Sequence, residues 1–155
     1  MTDLSDLLAH EAVVAGMNVG NRKILFQQLG GLAERAYGLD AKIVAERLAD
    51  REKLGSTGFG GGIAIPHAKL DGLKHVVGAF VRLAQPIEFG AVDELPVDLV
   101  FMLLSPVGAG AEHLKALARV SRLLRDRAFA AKLRGAGSHD AIFALIAGVE
   151  ARDAA

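Results

Sequence analysis

The chain has 155 residues, with 18 Lys and Arg against 18 Asp and Glu, no cysteine and no tryptophan. That is the composition of one neutral domain of ordinary size. Zero net charge, with no block of Lys or Arg hidden in the average, removes the electrostatic drive that nucleic acid or an anionic membrane surface would need, so neither is an expected partner. Without cysteine, disulfide frameworks, thiolate zinc sites, iron-sulfur clusters and cysteine nucleophiles are excluded, and the reducing cytoplasm is the expected compartment. A hydrophobic fraction of 52% provides for a substantial core. The apolar runs 99–104 and 141–149 fall far short of the ~20 residues that span a bilayer. Asp3 and Asp6, in place of a basic segment followed by an apolar one, do not suit a secretory signal.

In chain order, Leu25, Leu29, Leu32, Ala33 and Ala36 recur at helical spacing over 22–37, and Gly38 stands where a left-handed stop belongs. Asp40 is placed to cap a second helix in which Ile43, Val44 and Leu48 share a face and Asp50, Arg51 and Glu52 close the end. The texture then changes. Gly55, Gly58, Gly60, Gly61 and Gly62 crowd a short stretch that ends in the strand-like run Ile63, Ala64, Ile65, followed by Pro66 and His67.

Residues 76–83 and 98–105 are short apolar runs bounded by Pro86, Pro96 and Pro106, the pattern of strands buried on both faces and paired in one sheet. Residues 111–125 predict a helix with Leu114, Leu117, Ser121 and Leu124 inward, and Ser138 predicts the cap of a last helix carrying Ile142, Leu145, Ile146 and Val149. Helices and strands are interspersed, without a repeat or a dividing linker. The expected fold is therefore α/β (α+β), a single domain with a central mixed β-sheet flanked by helices.

Among the five histidines, His67 stands out, because a rigid proline precedes it and a glycine-rich approach lets backbone N–H groups come close to whatever the ring touches. On its own, a Pro-His pair is equally a strand end whose imidazole hydrogen-bonds a carbonyl. Ser56 and Thr57 add two hydroxyls among glycines, and Arg51 sits upstream at a helix end with a guanidinium suited to bidentate phosphate contact. The bland alternatives are tight turns for the glycines and a solvated helix charge for Arg51. The stretch is neither a Walker loop nor a dinucleotide fingerprint, which lowers the case for ATP or NAD.

His113 falls at a helix start, near the positive end of the helix, where a neutral imidazole is favoured and it is able to assist His67. Neither histidine has an acidic residue at ligand spacing, since Glu112 next door faces elsewhere on a helix, so no metal site is expected. His10, His75 and His139 are assigned to surface or cap positions.

The run Arg51-Glu-Lys-Leu-Gly-Ser-Thr-Gly-Phe-Gly-Gly-Gly-Ile-Ala-Ile-Pro-His67 resembles the active-site signature of the enzyme IIA domains of the mannitol, fructose and nitrogen-regulatory branch of the phosphotransferase system. The likeness continues through Pro86-Ile-Glu-Phe, Asp93, Pro96-Val-Asp-Leu-Val-Phe, Pro106 and His113-Leu, and so covers nearly the whole chain, residues 1–155 with a core from about 5 to 149. The Arg-Glu-Lys run and the stand-alone length are most similar to the nitrogen-regulatory members. The sequence departs at Phe59 and Gly61, where the family often has Ile and Asn.

The resemblance implies a cytoplasmic phosphoryl carrier that works without a cofactor. His67 would accept a phosphoryl group on Nε2 from an HPr-like phosphocarrier of the nitrogen-type chain (NPr), and regulatory target proteins would respond to its phosphorylation state. His113 would be the second active-site histidine and Arg51 the phosphate-steadying arginine. Ser56, Thr57, Gly58, Gly60 and Gly62 would line the phosphate. A neutral imidazole is a nucleophile near pH 7, and transfer between two imidazoles needs mainly positioning and positive charge. Phe59, Ile63 and Ile65 form a candidate apolar docking rim, or are core. Two other readings stand beside this one: a sugar-uptake IIA that passes phosphate to a IIB cysteine, and an interaction domain whose His67 is never phosphorylated.

Overall fold

The structure, a computed structural model, describes residues 4–148. Its elements run β1 (Leu8–Met17), α1 (Arg22–Tyr37), α2 (Ala41–Lys53), β2 (Gly58–Gly60), β3 (Ile63–Ala64), β4 (His67–Leu70), β5 (Val77–Ile87), β6 (Val97–Pro106), α3 (Gly110–Arg125), α4 (Arg127–Gly135) and α5 (His139–Ile146).

The first two helices lie where their punctuation predicts. Asn21 caps α1 through the Ile24 N–H, and Gly38 ends it in the left-handed region at φ 69°. Asp40 caps α2 through the N–H groups of Lys42 and Ile43. The buried stripe of α2 is Val44, Leu48 and Glu52, at a spacing of four. Ile43, expected on that face, lies one residue round the helix and is exposed. The helices approach closely at Gly30, where a Cβ would overlap the Ala41 carbonyl oxygen.

Six strands form one mixed sheet, with β6 between β5 on one side and the pair β3 and β4 on the other. Strand β5 is antiparallel to β6, whereas β1 is parallel to β5, and β3 and β4 are parallel to β6. Both long central strands are buried on both faces as their apolar runs predict, and Leu99 to Leu104 have no exposure. Pro86 does not bound β5 as expected. It lies inside the strand at the register break between Arg82 and Ile87, a place where a residue without an N–H costs the ladder nothing.

The buried face of α3 matches the predicted one only in part, at Leu124 and, packed at its edge, Leu117. It consists of His113, Ala116, Val120, Leu123 and Leu124, and Leu114 is 67% exposed. Ser138 caps α5 through the Ala141 N–H as predicted; Val149 lies outside the described residues. Strand β1 and helix α4 were not anticipated. Around the sheet, α1 packs on β1 and β5, α2 on β4, α3 on β6 and α5 on β1. Among the described residues, no helix is long and apolar enough to cross a membrane.

Candidate active site

His67 is the first residue of β4 and sits opposite Leu103 of β6. Pro66 has no N–H for the ladder, but its carbonyl accepts from the Leu103 N–H at 2.9 Å, which pins the chain beside the histidine. The ring is half-buried, with Nδ1 2.7 Å from the Ile65 carbonyl oxygen. A carbonyl can only accept, so Nδ1 carries the hydrogen and Nε2 keeps its lone pair. Burial pushes the His67 imidazole below the ordinary histidine range, and the Arg51 charge acts in the same direction, against smaller upward pulls from the Ile65 carbonyl and the Glu52 carboxylate. The ring is thus neutral near pH 7, with its nucleophilic nitrogen at Nε2.

The second ring belongs to His113, in the first turn of α3, whose N–H makes the first helical bond to the Ala109 carbonyl at 2.9 Å. Its centroid is 5.4 Å from that of His67, with the planes at 53°. Its Nδ1 lies 2.6 Å from Oγ of Ser105, a residue with no exposure near the end of β6. Burial lowers the His113 pKa, and positive charge on His67 and Lys69 lowers it further. When the Ser105 hydroxyl donates to Nδ1, a neutral His113 carries its hydrogen on Nε2, a donor for an oxyanion close to His67. One imidazole offers a lone pair and its neighbour an N–H.

Arg51 lies in the last turn of α2 and donates from Nη1 to the Gly55 carbonyl at 2.8 Å. The Thr57 carbonyl accepts from the Ile65 N–H at 3.0 Å, a pairing that carries residues 55–57 alongside 65–67. Arg51 and Ser56 are thereby brought to the flank of His67. The Ser56 Oγ accepts from the Gly58 N–H at 3.0 Å, which leaves its hydroxyl hydrogen for another acceptor.

Gly58, Gly60 and Gly62, also expected to line the phosphate, are not brought together with His67. Strands β3 and β4 share one parallel register on β6, with Ile63 opposite Leu99 and His67 opposite Leu103. At ~3.3 Å per residue, Gly62 stands about 16 Å from His67 along that line, and Gly60, which pairs with Ile63, about 13 Å. There the glycines serve a turn. Gly60, Gly61 and Gly62 take φ of 106°, 67° and 82°, and the Gly61 N–H donates to the Asp93 carboxylate, which would repel phosphate. Gly58, level with Ala64, is packed against Phe89 and Ala91. Thr57 is near the site, but its hydroxyl donates to Glu52 Oε1 at 2.6 Å and its N–H to Oε2 at 3.0 Å.

The proposed apolar rim is also corrected. Ile63 and Ile65 are core, and Phe59 is half-buried under the Arg125 guanidinium. The exposed apolar side chains within two residues of site residues are Leu54, Val107 and Leu114, at 85%, 60% and 67% exposure.

Two residues of the site escaped the sequence analysis, Ser105 and Glu52. The signal for Ser105 was a lone hydroxyl ending an unbroken apolar run. For Glu52 it was a carboxylate spaced four residues from Leu48 on the buried stripe of α2. His10 and His75 are exposed, and His139 begins α5. A groove of about 1020 Å³ between α1 and α2 contains neither histidine of the pair nor Arg51, though Glu52 reaches it. Among the described residues no group of three or more His, Cys, Asp or Glu is placed to hold a metal ion.

Comparison with known proteins places the chain in a family. Residues 6–149 match the family described as phosphoenolpyruvate-dependent sugar phosphotransferase system, EIIA 2, and the chain belongs to that family. A nitrogen regulatory protein of Bradyrhizobium diazoefficiens is 48% identical over 144 residues, covering 93% of this chain and 94% of the relative. A fructose-specific EIIA component of Haloferax volcanii is 34% identical over 150 residues, covering 96% and 97%. The crystal structure of the nitrogen regulatory protein IIA-Ntr of Neisseria meningitidis superposes with a TM-score of 0.86 at 39% identity, covering 92% of this chain and 97% of that one.

Proposed function

We propose that this protein is a phosphoryl carrier of nitrogen-regulatory type, taking a phosphoryl group on Nε2 of His67 from the phosphohistidine of an HPr-like protein and signalling to target proteins by its phosphorylation state. The observation that carries the reading is the His67 Nδ1 contact to the Ile65 carbonyl at 2.7 Å, which leaves Nε2 as the free lone pair beside a second imidazole.

In the transfer, the Nε2 lone pair forms the new N–P bond as the donor's N–P bond breaks, and that electron pair returns to the donor imidazole. The hydrogen stays on Nδ1, hydrogen-bonded to the Ile65 carbonyl, throughout, so no separate base is needed. Such transition states are loose and ask mainly for alignment and positive charge on the equatorial oxygens. Arg51, the His113 Nε2–H and the Ser56 hydroxyl are the groups assigned to those oxygens. Leu54, Val107 and Leu114 supply an apolar face for the donor, which must seat its own ring against His67. A phosphoryl group adds about −1.5 to −2 charges at pH 7 at the centre of that face, enough to change which partner it fits.

The reading is tested by the intact mass of the purified protein after incubation with phosphoenolpyruvate, enzyme I and the HPr-like protein, then again after brief acid. One acid-labile phosphoryl group, absent in His67→Ala, is expected. No gain with a demonstrably active donor would leave a binding domain on a carrier scaffold. The second reading, a sugar-uptake IIA, draws on the similarity to a fructose-specific EIIA component; transfer of the label onward to a IIB cysteine would decide for it.

A further inference from the structure

Glu52 is a buried carboxylate that the transfer step above does not use. Its side chain is only 3% exposed, although it sits in the last turn of α2 beside the exposed Lys53 and Leu54. Both oxygens are engaged by one residue, Oε1 by the Thr57 hydroxyl at 2.6 Å and Oε2 by the Thr57 N–H at 3.0 Å. Its counter-charge is Arg22 of α1, whose Nη1 lies 3.5 Å from Oε2 and also donates to the Phe89 carbonyl at 2.7 Å. An ion buried this far is tolerated only with such partners.

The neighbouring Arg51 holds the other side of the same turn, through the Gly55 carbonyl. Two consecutive residues of α2 therefore grip the loop 55–57 from opposite sides, and that loop runs alongside His67. The two grips differ in kind. The bond from Arg51 to Gly55 is exposed, and Arg51 must turn at least part of its guanidinium toward an arriving phosphoryl group. The bonds from Glu52 to Thr57 are buried, so an arriving anion does not compete for them.

We propose that Glu52 is a positioning residue for phosphoryl transfer: its two-oxygen clamp on Thr57 holds the loop 55–57 in place while Arg51 leaves Gly55 for the phosphoryl oxygens. This rests on the carrier reading given above. Arg22 of α1 supplies the counter-charge to Glu52 at 3.5 Å. Without the clamp, release of Arg51 would free both sides of the turn together, and Ser56 would lose its alignment on His67.

The test uses the full chain and the phosphorylation assay already described, followed as a rate, with thermal melts as the folding control. Misplacement of positioning groups by about 1 Å costs up to about 100-fold, so Glu52→Ala is expected to slow acceptance at least about tenfold with the final stoichiometry unchanged. Glu52→Gln keeps an acceptor for the Thr57 N–H and a donor for its oxygen, and should recover the rate to within about threefold. A purely structural role would not slow acceptance in a Glu52→Ala protein whose melt is unchanged, nor restore it in Glu52→Gln; the His67 ring titration followed by NMR should fall in Glu52→Gln through the lost negative charge alone, which checks that Glu52 acts on that ring. The groups facing His67 in that titration are Arg51 and Glu52 of α2 and His113 of α3.

Should Glu52→Ala fail to fold, Thr57→Val, which removes only the 2.6 Å bond, must slow acceptance severalfold. Wild-type rate in Glu52→Ala or in Thr57→Val would overturn the proposal, as would a Glu52→Gln rate no better than that of Glu52→Ala. Wild-type protein that takes no label at all would overturn the carrier reading instead, and the proposal with it.

Discussion

The imidazoles of His67 and His113 face each other at 5.4 Å between centroids, and each is fixed through Nδ1 by a different partner, the Ile65 carbonyl and the Ser105 hydroxyl. The carbonyl can only accept and so fixes the hydrogen of His67 on Nδ1, whereas the hydroxyl is able to donate and so allows His113 the opposite tautomer. His67→Ala is expected to abolish phosphoryl acceptance with the fold intact. His113→Ala, which removes one oxyanion donor, should slow it roughly 100-fold and leave the stoichiometry at one, as read by intact mass over time. Retention of the label in His67→Ala with its loss in His113→Ala would reverse the assignment.

Ser105→Ala isolates the tautomer argument. It deletes the hydroxyl that holds the hydrogen of His113 on Nε2 and leaves a buried ring nitrogen without its partner, at a cost of about 1–3 kcal/mol in stability. Nitrogen-15 shifts of the ring should then show the Nδ1–H form gaining population, and acceptance should slow about tenfold or more. Unchanged ring shifts would mean that Ser105 does not set the tautomer.

The pH dependence of stability has a definite sign. Both histidines are held below their ordinary value of 6.5, chiefly by burial, so in the window beneath that value the unfolded chain binds protons that the folded chain refuses. Stability from these two groups is complete above about 6.5 and is lost as the pH falls through their folded values. The urea midpoint should fall between pH 7.5 and pH 5.5, and fall less in the double variant His67→Ala, His113→Ala. Acceptance rates should stay level through pH 7 and decline only in more acid solution.

Two adjacent glycines of α1 make a paired prediction about packing. At Gly30 an added Cβ would run into the Ala41 backbone, which cannot yield as a side chain would, so Gly30→Ala should cost about 1–3 kcal/mol or more. At Gly31 the nearest atom is the flexible Arg35 guanidinium at 3.4 Å, and Gly31→Ala should stabilise by about 0.5–1 kcal/mol through helix propensity. Chemical denaturation of the two variants checks both signs.

The helices α1 and α2 could be read in the sequence because their ends carry local chemistry: Gly38 and Asp40 act on the backbone within a few residues, whatever the tertiary context. The central strands were legible as unbroken apolar runs. Residues 8–17 were not, because an edge strand that packs against α1 and α5 mixes exposed and buried positions without strict alternation. The phase of α3 was misread for a functional reason. A buried histidine at 113 takes the place that a leucine would signal, and Leu114 points outward at the mouth of the site.

In the site, His67, Arg51 and His113 could be named from sequence because their residue types are uncommon in those settings. What could not be read was which glycines are near His67. That depends on the strand register, and an extended chain separates Gly62 from His67 by about 16 Å even though only four residues lie between them.

The parallel register of β4 on β6 also makes the site a late product of folding. His67 and His113 lie on segments that meet only after α3 has folded back over β6, a local step, and β6 has paired with β4, a contact that closes a long loop and is entropically costly to form early. A partly folded chain that contains residue 67 but has not docked β6 lacks the second imidazole and Ser105 beside it. On the carrier reading, such a chain should accept a phosphoryl group no faster than the His113→Ala variant, and pulse labelling during refolding would favour molecules in which β6 and α3 have docked.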